Sequence, residues 1–396
     1  MKDVAVIIVN FNTKALLQEC LVSLPGGMPG LDAEVFVIDN GSTDGSVEMV
    51  RESFQEVVVT VNSANEGFAR PNNTGMKSSH ARYVFLLNSD AALFPGSLTT
   101  LVQFMDAHPR AGACGPRLLY PDGRPQRSVK GFPSWRTHIA DEFFLDRVFP
   151  GSTFFSSGEM LRFNYDRTQQ IDHAMAAAFL VRREVLEGVG MFDERFRIYY
   201  NDMDWCYRIK KAGWEIWYVG EAAVSHHLGS TVNALNKYFA LFEELHENII
   251  LFYRKRYGAW AVPLYKILLA LGAAPRALGW TCVSLLRATD RTTVMREFSW
   301  RSLWYGARFW KPLHIVDVPD EATDVTAGDT QSAGHTCARR AIHHVRSSLS
   351  RTMAGSSSKS AWTQSSPRTT GCSKWCWSTT APRTAQPPGW ANTIPP

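Results

Sequence analysis

The sequence has few cysteines, and they follow no pattern that would form a disulfide framework. There are seven in 396 residues, an odd number at irregular spacing. Small secreted folds that depend on disulfides have paired, closely spaced cysteines, so that class is excluded. Four cysteines fall in apolar stretches, and we expect them to be buried thiols in a reducing compartment: Cys20, Cys114, Cys206 and Cys282.

The chain also lacks a signal-peptide core and a block of basic residues. Its first residues, MKDVAVIIVNFNT, contain an apolar run of only six residues and no small-residue cleavage site, which predicts a cytoplasmic protein. The net charge of +5 is mild, and the Lys and Arg residues are dispersed. Nucleic-acid binding is therefore not expected.

Long uninterrupted hydrophobic runs are absent as well. Residues 259–287 are apolar, but they contain Pro263, Lys266, Pro275 and Arg276, which argues against a membrane-spanning helix. Aromatic and basic residues flank the apolar stretches, as in helices that lie in a membrane interface. Two interpretations stay open: peripheral contact with the inner face of the plasma membrane, or a helical hairpin packed on the N-terminal domain.

Residues 1–235 alternate between strand-like and helix-like segments. The predicted strands are Val4–Val9, Glu34–Ile38, Glu56–Val61 and Tyr83–Leu87, and the predicted helices are Thr13–Leu24, Ser46–Phe54 and Ala69–Ser79, the first ending before Pro25. This order predicts an α/β fold with a mostly parallel, doubly wound sheet flanked by helices. Ligands of such sheets bind beyond the carboxyl ends of the strands.

The C-terminal part differs in composition. Residues 236–320 contain a helical pattern, starting with Tyr238–Tyr257, and we expect a helical extension there. Residues 321–396 are rich in Ser, Thr, Arg and Pro, with eight Lys and Arg residues and no acidic residue after Asp329. This composition predicts a disordered tail.

Two acidic segments follow predicted strands. Asp39 ends the second strand, in the segment IDNGSTDGS, where a carboxylate can accept a hydrogen bond from a base, or simply cap a turn. Asn88-Ser89-Asp90 follows the fourth strand, where a carboxylate can hold Mg²⁺ together with diphosphate oxygens. Both segments should lie at the same edge of the sheet, which favours a ligand site there.

Three further segments contain polar side chains at element boundaries. Residues 65–73, NEGFARPNN, could lie along a ribose or diphosphate at a helix N-terminus, with Arg70 as a phosphate contact. Asp202 and Asp204 begin a helix and cannot share one face, so one can cap the helix while the other acts as a base. His226-His227 ends a strand and could supply a metal ligand or a diphosphate donor.

Together these segments resemble the family 2 glycosyltransferases of GT-A fold, and most closely bacterial rhamnosyltransferase-like enzymes of cell-envelope polysaccharide assembly. The matching text lies in order between residues 3 and 235: VIIVNFNT, VIDNGSTDGS, NEGFARPNNTG, FLLNSD, FLVRREVLEGVGMFDERF, NDMDWCYRIKKAGW and SHHLGS. Residues 1–235 would then be a GT-A catalytic domain.

The resemblance implies a role for each matched position. Asp202 would be the catalytic base, and Asp90 and His226 would hold Mg²⁺ or Mn²⁺. The donor, a dTDP- or UDP-sugar with dTDP-rhamnose as the first candidate, would be bound by Asn10, Asp39, Asn65, Gly67, Arg70, Asn73 and Asn88. The implied reaction is direct displacement with inversion, onto a saccharide or lipid-linked acceptor.

Two departures from the family pattern leave an alternative open. Asn201 stands where the family has Glu before the base, and Met175-Ala176-Ala177 stands where it has Ser-Gly-Ala. A nucleotide-sugar-binding relative without turnover is therefore the main alternative. A nucleotidyltransferase is disfavoured because Asn10-Phe11-Asn12-Thr13 replaces the Gly-rich loop of that class. A dinucleotide oxidoreductase is disfavoured because no G-x-G-x-x-G follows the first strand.

Overall fold

The computed structural model describes residues 1–149, 152, 163–227, 235–287 and 289–308, all within one compact unit that runs from Met1 to Thr323. The strands are β1 Val4–Asn10, β2 Ala33–Asp39, β3 Val58–Val61, β4 Tyr83–Asn88, β5 Ala91–Leu93, β6 Ala111–Leu119, β7 Val129–Lys130, β8 Gln169–Gln170, β9 His173–Ala174, β10 Ala178–Arg182 and β11 Glu215–His226. The helices are α1 Lys14–Gly27, α2 Ser46–Ser53, α3 Ala69–Lys77, α4 Ser97–Ala107, α5 Trp135–Glu142, α6 Leu145–Val148, α7 Arg183–Val189, α8 Asn201–Lys211, α9 Leu235–Tyr257, α10 Ala261–Leu286 and α11 Asp290–Ala307.

The central sheet has the order β3-β2-β1-β4-β10-β6-β11-β5, with β8 paired to β11. Strands β3, β2, β1 and β4 are parallel, as the strand–helix alternation predicts. Strand β10 runs antiparallel to β4 and β6, and β5 and β8 run antiparallel to β11, so the sheet is mixed. Apolar patterning does not reveal strand direction, because a strand buried on both faces has the same kind of sequence in either direction.

Helix α1 extends beyond its predicted end. It continues through Pro25 to Gly27 instead of stopping at Leu24. Pro25 lies in the last turn, where its ring costs the helix a single hydrogen bond. Gly27 packs so closely on β5 that an added Cβ would lie 2.4 Å from Leu93, so tertiary contact holds the extra turn. The other predicted elements of residues 1–226 begin and end within two residues of the observed ones.

Three long helices, α9, α10 and α11, occupy the segment where a helical extension is expected. Aromatic side chains of α9 and α10, including Phe252, Tyr253 and Tyr265, form a hydrophobic cluster with Phe196 and Met203. Tyr253 Oη also donates a hydrogen bond to the carbonyl of Ser134, at 2.9 Å. The helices therefore pack on α8, on the segment before it and on the start of α5. The predicted disordered tail lies outside the described residues.

Helix α10 has charged side chains on its buried side and apolar side chains on its exposed side, the opposite of an ordinary surface helix. Its charged residues Lys266 and Arg276 face inward, and Arg276 Nη2 lies 2.5 Å from Glu142 Oε2. Large apolar residues on its other side are exposed, and Cys282 is exposed there too, so the prediction that this thiol is buried is wrong. Among the described residues, α10 is the one helix long and apolar enough to cross a membrane by length and composition, with mean hydropathy 1.4.

Candidate active site

The side chains that end β1 and β2 bind each other. Asn10 and Asp39 are register partners in the parallel pair, and both are buried. Asn10 Nδ2 donates to Asp39 Oδ2 at 2.8 Å, and the backbone N–H of Ser42 donates to Asp39 Oδ1 at 2.7 Å. Asp39 thus caps the turn after β2, and each oxygen of the carboxylate can accept a further bond.

A threonine joins this pair to the end of β4. Thr13 Oγ1 donates to Asn10 Oδ1 at 2.7 Å and lies 2.9 Å from Ser89 Oγ. Ser89 stands between Asn88 and Asp90, so the two acidic segments belong to one hydrogen-bonded network. Parallel pairing of β1 with both β2 and β4 produces this convergence, because the carboxyl ends of the three strands meet at one edge.

His226 ends β11 and faces the end of β4. Its Nε2 lies 3.3 Å from Asp90 Oδ1 and 3.3 Å from Asn88 Nδ2. Both His226 and Asp90 are buried. His227 is oriented differently, with its Nε2 3.9 Å from Glu19 Oε2, which selects His226 as the histidine that faces this edge.

Gln126 fixes the orientation of the His226 ring. Its Oε1 lies 2.9 Å from His226 Nδ1, and its Nε2 donates to the His226 carbonyl at 2.5 Å. An amide oxygen accepts hydrogen bonds, so Nδ1 carries the proton and the lone pair of Nε2 faces Asp90. Hydrogen bonding of the second ring nitrogen in this way is typical of metal-binding histidines.

The Asp90–His226 pair fits a hard divalent cation. Two cis ligands at the 2.0–2.1 Å typical of Mg²⁺ would lie about 3.0 Å apart, close to the observed 3.3 Å. The described residues contain no group of three or more His, Cys, Asp or Glu side chains placed to hold a metal. A cation here would take its remaining ligands from water and from a diphosphate, as Mg²⁺ usually does.

Asp202 and Asp204 occupy different environments on α8. Asp204 is buried between two cations, with Oδ2 2.8 Å from Arg208 Nε and Oδ1 2.6 Å from Lys255 Nζ. Asp202 is partly exposed, and its Oδ2 lies 3.3 Å from His173 Nε2 and accepts the N–H of Ala176 at 3.3 Å. Asp204 therefore joins α8 to α9, while Asp202 stays available to a ligand.

The pKa of Asp202 is lowered below its ordinary value. Burial acts to raise this pKa. The charge of His173, its hydrogen bond, and the backbone N–H groups of Ala176 and Met203 outweigh that effect. Asp202 is therefore ionised at neutral pH, as a proton acceptor must be.

Residues 175–177 connect Asp202 to the end of β4. The N–H of Ala176 binds Asp202, and the carbonyl of Ala177 accepts the N–H of Asn88 at 2.9 Å. The N–H of Met175 donates to the carbonyl of Ser128, two residues from Gln126, at 3.0 Å. The segment in which this sequence departs from the family pattern is therefore hydrogen-bonded both to Asp202 and to the end of β4.

The loop before α3 is held by contacts within the protein. Asn65 Oδ1 accepts the N–H of Gly67 at 2.9 Å, and the Gly67 carbonyl accepts Asn40 Nδ2 at 2.8 Å. Gly67 has φ +87° and packs against Arg197, so a side chain there would clash. These contacts place the loop beside the buried Asn10–Asp39 pair, through Asn40.

Arg70 and Asn73, at the start of α3, both bind Glu194. Arg70 Nε lies 2.9 Å from Glu194 Oε2, and Asn73 Nδ2 donates to Oε1 at 3.1 Å. Asn73 also exchanges two hydrogen bonds with the backbone of Phe192. Asn73 is buried, and both the nitrogen and the oxygen of its amide form hydrogen bonds within the protein. Arg70 is exposed and could leave Glu194 to bind a phosphate.

Comparison with known proteins identifies the family. Residues 5–190 match the model of glycosyl transferase family 2. An N-acetylglucosaminyl-diphospho-decaprenol L-rhamnosyltransferase of Mycobacterium tuberculosis is 30% identical over 58% of this chain and 78% of that protein. The chain belongs to glycosyl transferase family 2. It is therefore a glycosyltransferase, and the resemblance to rhamnosyltransferase-like members is confirmed.

Two further comparisons have lower identity. A low-salt glycan biosynthesis hexosyltransferase of Haloferax volcanii is 23% identical over 53% of this chain and 62% of that protein. A solved mannosyltransferase of Pyrobaculum calidifontis, in complex with GDP-Man and Mn²⁺, aligns with 78% of this chain and 88% of its own, at 17% identity and TM-score 0.45.

Sequence reasoning did not single out three residues that contact the candidate site: Thr13, Gln126 and His173. Thr13 and Gln126 bind residues that the sequence did single out, but they lie outside the acidic segments. His173 lies 29 positions before Asp202 and approaches it only because β9 packs beside α8. Nothing in the local sequence around Gln126 or His173 signals such a contact.

Proposed function

We propose that this chain is an inverting glycosyltransferase that moves L-rhamnose from a nucleoside-diphosphate donor to a lipid-linked saccharide in cell-envelope polysaccharide synthesis. The main support is the single hydrogen-bonded network at the carboxyl edge of the sheet. It joins Asp39 and Asn10 through Thr13 to Ser89, which stands between Asn88 and Asp90. The Ala176–Ala177 segment binds both Asp202 and the backbone of Asn88.

In this proposal the donor lies along the ends of β1, β2 and β4. Asp39 accepts a hydrogen bond from the base, and Asn10 holds that carboxylate in place. Asn65 and Gly67 shape the loop beside the ribose, and Asn73 anchors α3 at the neighbouring helix N-terminus. Arg70 leaves Glu194 to contact the diphosphate; both are exposed enough for the exchange to cost little.

Asp90 and His226 would hold Mg²⁺ or Mn²⁺, with Asn88 beside them. A bound divalent cation would supply positive charge next to the departing diphosphate. The geometry that supports this role is the 3.3 Å separation of Asp90 Oδ1 and His226 Nε2, with the His226 lone pair oriented by Gln126.

Asp202 would take the proton of the acceptor hydroxyl. As that O–H bond breaks, the acceptor oxygen forms a bond to the anomeric carbon on the face opposite the diphosphate. The bond from the anomeric carbon to the diphosphate oxygen breaks, and its electron pair leaves with the nucleoside diphosphate. Displacement from the opposite face inverts the anomeric carbon. A base positioned in this way typically contributes 10²–10⁴-fold to the rate.

The choice of rhamnose and of a lipid-linked acceptor rests on the relatives. The printed name of the mycobacterial relative specifies L-rhamnosyl transfer to an N-acetylglucosaminyl-diphospho-decaprenol. Another relative, 26% identical over 49% of this chain and 15% of its own length, is an O-antigen biosynthesis protein of Myxococcus xanthus. Decaprenol is a long-chain lipid alcohol, so the first name supports a lipid-linked acceptor.

The test is transfer from a panel of nucleoside-diphosphate sugars, including dTDP-L-rhamnose, to N-acetylglucosaminyl-diphospho-decaprenol. Each donor is assayed with and without Mn²⁺, on wild type and Asp202→Asn. We expect one donor to turn over only with metal, and the variant to bind it without transfer. Binding without turnover in both proteins would favour the nucleotide-sugar-binding relative, and absence of binding would overturn the proposal.

We further propose that the outer face of α10 contacts the bilayer that contains such an acceptor. Ile267, Leu271, Leu278 and Leu285, at spacings of four, seven and seven, form one exposed stripe, which we call the apolar stripe. Leu271, Leu278 and Leu285 are 57%, 62% and 79% exposed. A contiguous exposed stripe of this length is typical of interaction surfaces.

The surroundings of the apolar stripe favour an anionic bilayer as its partner. Apart from the inward-facing Lys266 and Arg276, residues 259–308 contain five Lys and Arg residues, 287, 291, 296, 301 and 308, and two acidic residues, 290 and 297. Trp300 and Trp304 of the neighbouring helix α11 are also exposed. Basic residues are attracted to anionic lipid headgroups, and tryptophan prefers the headgroup level.

Flotation with phosphatidylglycerol vesicles tests this contact. We expect wild type to float with the vesicles and Leu271→Ser/Leu278→Ser to lose at least about 10-fold in partitioning, since each buried leucine is worth about 1.5–3 kcal/mol. Val22→Ser, on an equally exposed position of α1 (64%), is the matched control. Equal flotation of all three proteins, or a dimer that only the double variant disrupts, would overturn the bilayer proposal.

A further inference from the structure

A groove with a volume of about 440 Å³ lies between helix α10 and the turn that joins α5 to α6. We call it the α10 groove. Binding sites for small molecules typically have volumes of about 300–1,000 Å³, so it is large enough for a ligand. Its lining comes from residues 142–144 and from one face of α10, which carries Gly272, Arg276, Gly279 and Val283 at spacings of four, three and four.

The lining of the α10 groove is apolar, apart from one ion pair. Phe143 and Val283 are apolar and exposed. Arg276 Nη2 lies 2.5 Å from Glu142 Oε2, and Arg276 Nη1 donates to the Glu142 carbonyl at 3.3 Å. The guanidinium also lies over the ring of Phe144, 5.6 Å from its centroid. Because the two charges of the lining are paired with each other, the groove is suited to an uncharged apolar ligand rather than to an anion.

Gly279 leaves space in the α10 groove. Glycine in a helix interior is less favourable than alanine, so it usually has a packing reason. Gly272 has one, since an added Cβ would lie 2.7 Å from Glu142 Oε2. At Gly279, outside its own stretch of helix, no atom of the described residues lies within 4 Å of an added Cβ. Packing against the described part of the chain therefore does not account for Gly279, whereas a ligand in the groove does.

The α10 groove adjoins the apolar stripe. Leu278 of the stripe directly precedes Gly279 of the groove, and a helix turns by about 100° per residue. Leu271 directly precedes Gly272 in the same way. Pro275, one turn after Leu271, is exposed and lines the groove as well. The groove therefore opens beside the surface for which contact with the bilayer is proposed.

Helix α10 also connects the groove to the region of the proposed base. Met203 directly follows Asp202 and lies in one hydrophobic cluster with Tyr265 and Leu269 of α10. Gly279 comes ten residues after Leu269, which is about 15 Å along the helix axis. An extended lipid chain and its diphosphate can span a distance of this order.

We propose that the α10 groove binds the prenyl chain of the lipid-linked acceptor. The inference rests on the function proposed above, in which such an acceptor receives the sugar. The chain passes from the bilayer beside the apolar stripe into the groove, and the saccharide end extends toward Asp202. No bond forms or breaks in the groove. Its contribution is to acceptor binding, so it affects KM for the acceptor and not kcat.

Substitutions at Gly279 test the groove in steps of increasing side-chain size. They are Gly279→Ala, Gly279→Leu and Gly279→Phe. Gly188→Phe is the matched control, because Gly188 is an exposed helical glycine of α7 whose added Cβ also meets no described atom within 4 Å. Each protein is titrated by calorimetry with geranylgeranyl phosphate, hexadecyl phosphate and inorganic phosphate, and its thermal midpoint is recorded.

We expect wild type to bind geranylgeranyl phosphate more tightly than the other two probes. Gly279→Phe should weaken this binding at least about 10-fold, since the ring occupies the space in which the chain buries apolar surface. Gly279→Leu should weaken it less, and Gly279→Ala and Gly188→Phe should bind as wild type does. Leu271→Ser/Leu278→Ser should also keep this affinity, because the apolar stripe lies outside the groove.

Transfer assays add a second readout. In Gly279→Phe, KM for N-acetylglucosaminyl-diphospho-decaprenol should rise in proportion to the loss of probe binding, with kcat and the donor Kd unchanged. KM for an acceptor in which a short alkyl chain replaces decaprenol should not change. Weaker partition into the bilayer would not account for the rise, because phenylalanine adds apolar surface beside the stripe.

The outcomes distinguish this inference from the proposed function. If sugar is transferred but Gly279→Phe keeps both the wild-type probe affinity and the wild-type KM, the inference fails while the function stands. Hexadecyl phosphate bound as tightly as geranylgeranyl phosphate, or a dimer that Gly279→Phe disrupts, would overturn it in favour of a membrane lipid or a second copy of the chain. Prenyl binding that depends on Gly279, without transfer to any acceptor, would overturn the role in acceptor binding together with the proposed function.

Discussion

Polar side chains are arranged differently at the sheet edge and in the helices α9, α10 and α11. At the edge, polar side chains from β1, β2, β4 and β11 converge and bind one another, while the strands behind them are buried and apolar. In the helices, Lys266, Arg276 and His246 are turned inward, and the leucines of the apolar stripe are turned outward.

This difference indicates which kind of ligand or surface each region is suited to contact. A polar network at the edge of a sheet is organised for a polar ligand, because its groups satisfy one another while retaining free lone pairs. Exposed leucines are hydrated at a cost in free energy, and an apolar surrounding removes that cost. The sheet edge is thus suited to a polar ligand, and the outer face of α10 to an apolar surface.

The largest expected effect separates two aspartates that are two positions apart. Asp202→Asn should lower kcat by about 10²–10⁴-fold and leave the fold intact, because the base is lost. Asp204→Asn should instead cost stability, up to about 3–5 kcal/mol, since it leaves Arg208 and Lys255 without their buried partner. Urea unfolding and transfer assays on both variants measure the contrast. If both variants lost similar stability and similar kcat, the assignment of Asp202 as the base and Asp204 as a structural residue would be wrong.

The next prediction concerns the pH dependence of stability, which depends on two buried histidines in the helical region. Burial lowers the pKa of His138 to about 4 and that of His246 to about 3. The unfolded chain, with histidine pKa near 6.5, then binds more protons than the folded one below pH 6.5. Stability is fully present above pH 6.5 and falls by about 1.4 kcal/mol per pH unit for each histidine as the pH drops toward 4.

Urea unfolding at pH 7.5 and 5.5, followed by near-ultraviolet circular dichroism, measures this slope. His138→Phe is a suitable comparison because His138 stacks on Tyr265, with ring centroids 4.4 Å apart, and phenylalanine can keep the stacking. The variant should lose about half of the slope. A slope that is unchanged in His138→Phe would show that this region does not bury neutral histidines.

A smaller effect tests how the sheet edge orients a metal ligand. Gln126→Leu keeps the volume of the side chain and removes both of its hydrogen bonds to His226. We expect the Mn²⁺ concentration for half-maximal transfer to rise about 10–100-fold, as for the loss of similar partners of metal-binding histidines. Gln126→Glu, which keeps an acceptor for Nδ1–H, should be affected less. Equal Mn²⁺ dependence in all three proteins would contradict the proposed role.

The smallest effect is expected at Arg70, which is 56% exposed. Arg70→Gln should change stability by less than about 1 kcal/mol, because exposed ion pairs contribute little. If Arg70 contacts the donor diphosphate, KM for the donor should rise several-fold. Glu194→Gln, which breaks the same ion pair but keeps Arg70, is the control and should not raise KM. A rise in both variants would assign the effect to the loop rather than to Arg70.

Much of the catalytic domain follows from local sequence. The apolar runs of β1, β2 and β4 predict buried strands, and polar residues at their ends predict a site at one edge of the sheet. Asn10 and Asp39 are linked through Thr13 to Ser89, between Asn88 and Asp90, for that reason. The family follows from the order of the motifs, which the comparisons confirm.

Sequence alone could not decide how each side chain is oriented. Asp202 and Asp204 look equivalent along the chain, and only the position of Lys255 on α9 makes Asp204 a structural residue. His226 and His227 are adjacent, and only Gln126, 100 positions earlier, selects His226. Similarly, Asn73 forms hydrogen bonds with the backbone of Phe192, a contact that no local sequence pattern predicts.

The sequence by itself determined the class of fold and the edge at which the candidate site lies, because strand burial and turn chemistry are local properties. The order of the motifs determined the family. Only the tertiary structure decided the mixed strand directions, the inward charges of α10 and the contact of His173 with Asp202. The physical reason is that a hydrogen bond or an ion pair depends on distances of about 3 Å between atoms whose residues lie tens of positions apart, and only packing sets those distances.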